Sequence, residues 1–336
     1  MSRKAPIAVE STNLADHPAA RAWNALGGVA PAKVELWRRA RSKPAIYRLT
    51  FAKPRRPAVY AKQSLAADLA IERMVYQEIL PRLPLTVPHY HGSCRDSDGS
   101  IWLFVESAGE RRLSEKNSRH RALAARWLGL LHASAATEVA ARRLPDAGPG
   151  RYLGHLRSGR AAILRNFGNP ALAAGDRVAL TGILQKLDTL ESRWPRLERA
   201  CEGLPVTLVH GDFRLKNVRV RGADAAAALY VLDWEMAGWG IPAADLACAC
   251  GPGLTIRIDL NAYREAARDL WKDLDAAAIC RLSILGRIFQ ALASTEWSGA
   301  SLRFESDQHL LKPVGEMRIY RAQISRALEE GAEWLR

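Results

Sequence analysis

Three short apolar runs with polar residues at their ends restrict this chain more than any other feature. Residues 205–209 (Pro-Val-Thr-Leu-Val), Val218-Arg219-Val220 and Leu229-Tyr230-Val231-Leu232 each read as a strand, and Gly222, Ala223 and Asp224 between the last two read as a turn. Antiparallel pairing about that turn would bring Asn217, just before one strand, and Asp233, just after the other, to the same open end. An amide oxygen and a carboxylate would then face one place.

Oxygen donors of this kind suit Mg²⁺, which is usually held by one or two carboxylates together with phosphates. Asp212, five residues before Asn217, lies in the adjoining loop, where a carboxylate can accept or orient the proton of an attacking hydroxyl. Arg214 or Lys216 would supply positive charge to a transferred phosphoryl group. His210 reads as a residue that orients this loop rather than one that reacts.

The pattern His210-Gly211-Asp212, four residues, Asn217, resembles the catalytic loop of the aminoglycoside phosphotransferase and choline kinase family, a branch of the protein-kinase-like fold. Asp233-Trp234-Glu235 stands where that family keeps its second metal-binding Asp, and Pro242-Ala243-Ala244-Asp245-Leu246 is similar to its Pro-x-x-Asp-Leu segment. The resemblance implies an α+β, bilobal protein-kinase-like fold: a small N-lobe with an antiparallel sheet and one helix, then a larger, mostly helical C-lobe. It implies ATP and Mg²⁺ as cofactors, and it implies that Asp245 props up the loop without touching substrate.

The amino-terminal third adds support. Ala58-Val59-Tyr60-Ala61-Lys62 is strand-like, and Leu65, Leu69, Glu72, Tyr76 and Ile79 follow at four- and three-residue steps, which puts a carboxylate on an apolar helical stripe. A carboxylate facing inward needs a partner, and Lys62 is the nearest candidate; a Lys–Glu pair between strand and helix is how kinases place the Lys on nucleotide phosphates. Pro81 should end the helix near Leu80. A hairpin is expected within Val34–Leu49, but no Gly-rich G-x-G-x-x-G covers it. Ser42, backbone N–H groups and Lys43 would have to serve instead.

Asp98-Gly99 marks a turn between Val87–Tyr90 and the strand Ile101–Val105. By resemblance, 104–108 is the hinge whose backbone binds adenine, with Glu106 and Ala108 as contacts. The expected organisation is a loose arm over 1–20, an N-lobe over 21–105 and a C-lobe over 106–336. Helices are expected at Arg121–Ala136, with Leu123, Trp127, Leu130 and Leu131 on one face, and about 172–200, 260–298 and 315–335.

The formal charge of +14 raises the question of nucleic acid, but residues 1–110 carry 16 basic and 10 acidic side chains of the 49 and 35 in the chain, so the excess is spread over both lobes. No nucleic-acid motif accompanies it, and nucleic acid is not expected as a partner. No apolar run long enough to span a bilayer is seen and no hydrophobic segment follows the basic start, so a cytoplasmic location without membrane insertion is expected. The five cysteines, Cys94, Cys201, Cys248, Cys250 and Cys280, are odd in number and scattered, which favours reduced thiols. Cys248-x-Cys250 lacks zinc-site spacing, and His89 and His91 alternate on a strand without a third ligand in view. His132, among apolar neighbours, reads as a satisfied core histidine.

Gly211 stands where protein kinases have the Arg that grips an activation loop, and only eleven residues separate Asp233 from Asp245, too few for an activation segment. A small hydroxylated molecule is therefore the expected acceptor. Residues 251–336 hold twelve acidic and twelve basic side chains with no acidic run, which favours a neutral or anionic, sugar-like acceptor over an aminoglycoside or choline. Glu296, Trp297, Glu305 and Asp307 are candidate pocket residues. A non-catalytic nucleotide-binding scaffold is the alternative of another class.

Overall fold

The computed structural model describes residues 7–8, 14–40, 43–53, 56–96, 98–223, 226–251, 253–268, 271–272 and 274–335. Its contacts divide the chain into two compact units, Met1–Arg112 with Val218–Met236, and Leu113–Asn217 with Ala237–Arg336. The expected boundary near 106 is thus corrected in one respect: the hairpin over 218–236 groups with the amino-terminal unit, because its strands make their contacts there.

Among the described residues, six strands of the first unit form one antiparallel sheet: β1 (Ile7–Ala8), β2 (Lys33–Ala40), β3 (Lys43–Thr50), β4 (Val59–Leu65), β5 (Tyr90–Arg95) and β6 (Ser100–Glu106), in the order β1-β2-β3-β4-β6-β5. Alternation sets its two faces. Val34, Leu49, Val59, Ala61, Trp102 and Phe104 pack on one side against Ala19, Ala20 and Trp23 of α1 (Pro18–Ala25). The expectation of a loose arm over 1–20 is corrected where the chain is described: Ile7–Ala8 pairs with β2, and α1 starts at Pro18 behind a His17 cap, because Pro at the first helical position is already set for the turn. Lys62, next to Ala61, faces the opposite way, towards α2 (Ala66–Met74).

Leu69, Glu72, Tyr76 and Ile79 are buried, but Leu65 is the last residue of β4 and is exposed, so it leaves the expected stripe. Beyond α2 the helix widens into a π turn at Val75–Ile79 and tightens at Leu80–Arg82, where Pro81 stops it. In the hairpin β8 (Val218–Arg221) and β9 (Ala228–Val231), Val218 pairs with Val231.

The second unit is mainly helical: α3 (Ser118–Ala135), α4 (Pro149–Arg165), α5 (Ala174–Ser192), α6 (Trp194–Cys201), α7 (Leu260–Ala267), α8 (Ala276–Ala300), α9 (Asp307–Glu330) and α10 (Ala332–Leu335). It also contains a two-stranded ladder of β7 (Thr207–Val209) with β10 (Gly238–Gly240). On α3, Leu128 and Leu131 point inward while Leu130 is exposed, which corrects one expected face residue. Asn117 caps α3 through Arg119 and His120 N–H groups, and Asp275 caps α8 through Ala278.

Helix α8 is the core of this unit, packed on α4 and α9. Ala276–Arg303 is long and apolar enough by composition to cross a membrane, contrary to the sequence expectation; two-thirds of its apolar window is buried inside the fold, which marks a core helix. Gly286 lets it approach closely, since a Cβ there would lie 1.8 Å from the Ala243 carbonyl oxygen. The expectation of five reduced thiols is also corrected: Cys250 and Cys280 form a disulfide, with Cα atoms 5.4 Å apart, because the fold lays the 250 loop on the first turn of α8.

Arg287 of α8 is fully buried and donates to both carboxylate oxygens of Glu330, one bond being 3.1 Å, while Arg326 Nε reaches Oε1 at 2.7 Å. Hydrogen bonds from Arg287, then from Arg326, hold the Glu330 carboxyl down at about 2. A lowered folded-state pKa contributes stability above the unfolded value of about 4.3, lost as pH falls through about 2. Glu330→Gln is expected to destabilise the protein at pH 7 by on the order of 1–3 kcal/mol, a figure reduced because Glu330 is partly exposed. Thermal melts from pH 7 down to 2 should show the gap to the parent closing over the acid range. A constant gap would contradict the pairing.

Candidate active site

In the first unit the site is built around one amine. Lys62 Nζ lies 2.5 Å from Glu72 Oε2, 3.1 Å from Asp233 Oδ1 and 3.7 Å from Glu235 Oε2. Strand β4 aims Lys62 at α2, whose Glu72 is 4% exposed, and the turn after β9 delivers Asp233 and Glu235. Burial opposes the charge on Lys62, but Glu72 first, then Asp233 and Glu235, raise its pKa above the ordinary amine range. Burial pushes Glu72 up, Lys62 draws it down and Asp233 pushes it up again. Three carboxylates thus surround one ammonium, an excess of negative charge suited to a hard cation.

Asp233 has φ = +69°, the only non-glycine residue with positive φ among those described. Strain of this kind persists where the surroundings over-determine it, commonly at a functional residue. Glu106, at the end of β6, accepts from Arg221 at 2.7 Å, and Ala108 is fully buried. Ser42 lies outside the described residues.

In the second unit β7 ends at Val209 and the chain turns sharply through Gly211, φ = +78°, a conformation glycine adopts without cost. Asp245, fully buried, accepts from the His210 N–H at 2.7 Å and the Gly211 N–H at 2.9 Å. His132 Nε2 is 3.3 Å from the same carboxylate, and its Nδ1 is 3.0 Å from the Tyr263 hydroxyl. His210 Nδ1 accepts from the Asp212 N–H at 3.2 Å, so its ring holds the loop.

Asp212 is 3% exposed. It meets Arg214 Nε at 2.9 Å, Lys216 Nζ at 2.6 Å and Asn217 Nδ2 at 3.0 Å. Asn217 Nδ2 also donates to the Asp212 carbonyl at 2.9 Å, which leaves the amide oxygen of Asn217 for another partner. Sequence reasoning missed Gln290 and Ser294, which accept from Arg214 Nη2 at 2.9 and 2.8 Å; Gln290 also donates to the Gly211 carbonyl at 2.8 Å. A signal for them exists: Arg287, Gln290, Ser294 and Ser298 recur at three- and four-residue steps in an otherwise apolar helix. Of the other candidate residues, Trp297 sits 5.8 Å from Arg214 Cζ, Glu296 pairs with His155, and Glu305 and Asp307 are placed around the start of α9 without a bond to this group.

Residues 27–280 match the profile of the phosphotransferase enzyme family, APH, three-quarters of the chain. The chain belongs to the phosphotransferase enzyme family. Solved structures share its fold at low identity. A choline kinase from Cryptosporidium parvum Iowa II is 12% identical with TM-score 0.61, covering 90% of this chain and 93% of that one. A putative aminoglycoside phosphotransferase from Ralstonia eutropha JMP134 is 16% identical with TM-score 0.58, covering 94% and 98%. Spectinomycin phosphotransferase APH(9)-Ia, solved with ADP and spectinomycin, is 11% identical with TM-score 0.57, covering 89% and 94%. Over 64 residues the chain is 44% identical to acyl-CoA dehydrogenase family member 10 of Mus musculus, a match spanning 17% of this chain and 6% of that much longer protein.

In this phosphotransferase the shape of the Asp212 loop depends on Asp245. Asn at 245 keeps one acceptor oxygen but turns an NH₂ group towards the other N–H, leaving a buried donor unpaired. Asp245→Asn is expected to cost about 2–4 kcal/mol, read as a lowered melting temperature. An unchanged melt would show that the loop is held by other means.

Proposed function

We propose that this phosphotransferase moves the γ-phosphoryl group of ATP to a hydroxyl of a small, neutral or anionic, sugar-like metabolite. Asp212 carries the reading: a buried carboxylate, fixed by its loop, with cations and an amide on its oxygens. Asp212 would take the hydroxyl proton as the new O–P bond forms, while the bond from the γ-phosphorus to the bridging oxygen breaks and ADP leaves with the electron pair. Arg214 or Lys216 would supply positive charge to the transferred group, and His210 would hold the loop. Lys62, kept charged and in place by Glu72, would contact the α/β-phosphates, with Glu106 and Ala108 at the adenine.

Asp233 and the amide oxygen of Asn217 would hold Mg²⁺. The surplus of carboxylates at Lys62 and the oxygen donor set support this, as does the hairpin register, in which Asn217 immediately precedes Val218, the partner of Val231. Among the described residues no three His, Cys, Asp or Glu side chains form a metal-holding group, so the ion would share its ligands with phosphates. When bound, Mg²⁺ neutralises charge on the β- and γ-phosphates.

The experiment compares Mg²⁺-dependent ATP turnover and ATP binding in the parent, Asp212→Asn and Asp233→Asn. Asn tolerates the positive φ at 233, so that substitution removes charge without backbone cost. Asp212→Asn should lower turnover by ~10²–10⁴-fold with ATP still bound, and Asp233→Asn should raise the Mg²⁺ requirement or abolish turnover. Unimpaired turnover in either variant would refute the role of that residue.

A further inference from the structure

Two cations share one carboxylate in the Asp212 loop, and they are held differently. Lys216 Nζ reaches Asp212 from a half-exposed, flexible stem. Arg214 is fixed: Nε lies 2.9 Å from Asp212, Nη2 donates to Gln290 and Ser294, and the guanidinium sits near the Trp297 ring. Gln290 and Ser294 are each 1% exposed, and Gln290 is itself tied to the Gly211 and Ala244 carbonyls. A buried, doubly bonded seat of this kind fixes the plane of the guanidinium. Its remaining nitrogen, Nη1, has no partner among the described residues, and the side chain is 21% exposed.

The nearby carboxylates are engaged elsewhere. Glu296 pairs with His155 Nδ1; Glu316 accepts from Ser298 at 2.7 Å and lies 3.6 Å from Lys312. The Asp212, Arg214 and Lys216 group itself carries one more positive than negative charge. A pre-oriented guanidinium with Nη1 left to donate, beside the residue that would take the acceptor's proton, suits an oxygen of a carboxylate or phosphate by position and by charge.

We propose that Arg214 is the acceptor-recognition residue and that the acceptor is a small hydroxylated acid, its carboxylate or phosphate on Nη1 of Arg214 and its hydroxyl at Asp212. This rests on the phosphotransfer reading above. Because Nε of the same guanidinium touches Asp212, the acidic group and the reacting hydroxyl stand only a few bonds apart. The hydroxyl proton goes to Asp212, the oxygen gains the phosphoryl group and ADP departs, as in the parent reaction. Lys216 is left to the transferred group.

The test gives the full-length protein Mg-ATP and matched acceptors: short hydroxycarboxylates against their amides, and sugar phosphates against the free sugars. Phosphoryl gain is followed by mass spectrometry in the parent, Arg214→Gln, Arg214→Lys and Asp212→Asn, with melting curves to establish folding. The acid of a pair should exceed its neutral counterpart in kcat/KM by ~10–100-fold, and Arg214→Gln should collapse that ratio mainly through KM. Arg214→Lys, which keeps the charge but loses the fixed, planar guanidinium, should fall between and serves as the probe if the Gln variant does not fold. Preference for the carboxylate pairs or for the phosphate pairs identifies which acid is read. Asp212-dependent transfer that favours neutral acceptors, or an acid preference that survives Arg214→Gln, overturns this inference while leaving the phosphotransfer reading intact. Absence of Asp212-dependent transfer or ATP hydrolysis in every arm overturns both.

Discussion

The second unit depends on a buried carboxylate that binds the backbone of its neighbouring loop. Asp245 is fully enclosed, and an isolated ionised carboxylate there would be very unfavourable. Two N–H donors from successive residues, His210 and Gly211, and the His132 ring offset that cost. The same bonds fix the loop in a conformation that needs a left-handed Gly211, and so determine where Asp212 can point. Gln290 closes the other side through the Gly211 carbonyl. Thus α8, the loop and the segment around Asp245 form one hydrogen-bonded body, and the close approach at Gly286 lets α8 reach it.

The first unit solves a different electrostatic problem. A buried amine is maintained in the charged state by more carboxylate than it needs, and one of those carboxylates sits on a strained backbone. An anionic nucleotide alone would meet repulsion from the surplus, whereas a nucleotide carrying its divalent cation would be matched on both counts. On the proposed function, that asymmetry would tie the metal and the phosphates together instead of leaving them separate ligands.

Much of this was legible because the signals were local. The strands around the candidate loop alternate and are broken by turn residues, and Glu72 stands out as a charge on an apolar stripe, so the Lys62–Glu72 pair could be anticipated. Features set by tertiary contact were hidden. Gly238-Trp239-Gly240 has two glycines around a single strand-favouring residue, and its pairing with β7 is set by the fold. Helix α4 is interrupted by Gly154 and Gly159, which argue against a helix, and α1 is only two turns long. Cys250 and Cys280 are 30 residues apart, a spacing that predicts nothing. Gln290 and Ser294 act on a loop nearly 80 residues earlier, and only their recurrence along α8 could have singled them out.

The central claim is that this chain transfers the γ-phosphoryl group of ATP to a small molecule with Asp212 as the proton acceptor. The most direct measurement supplies ATP labelled with ¹⁸O in its γ-phosphoryl group, Mg²⁺ and a fractionated metabolite extract, then searches by mass spectrometry for any small molecule that gains one labelled phosphoryl unit. A single labelled product, present with the parent protein and missing with Asp212→Asn, is the predicted result. Labelled product formed equally well by Asp212→Asn would contradict the account.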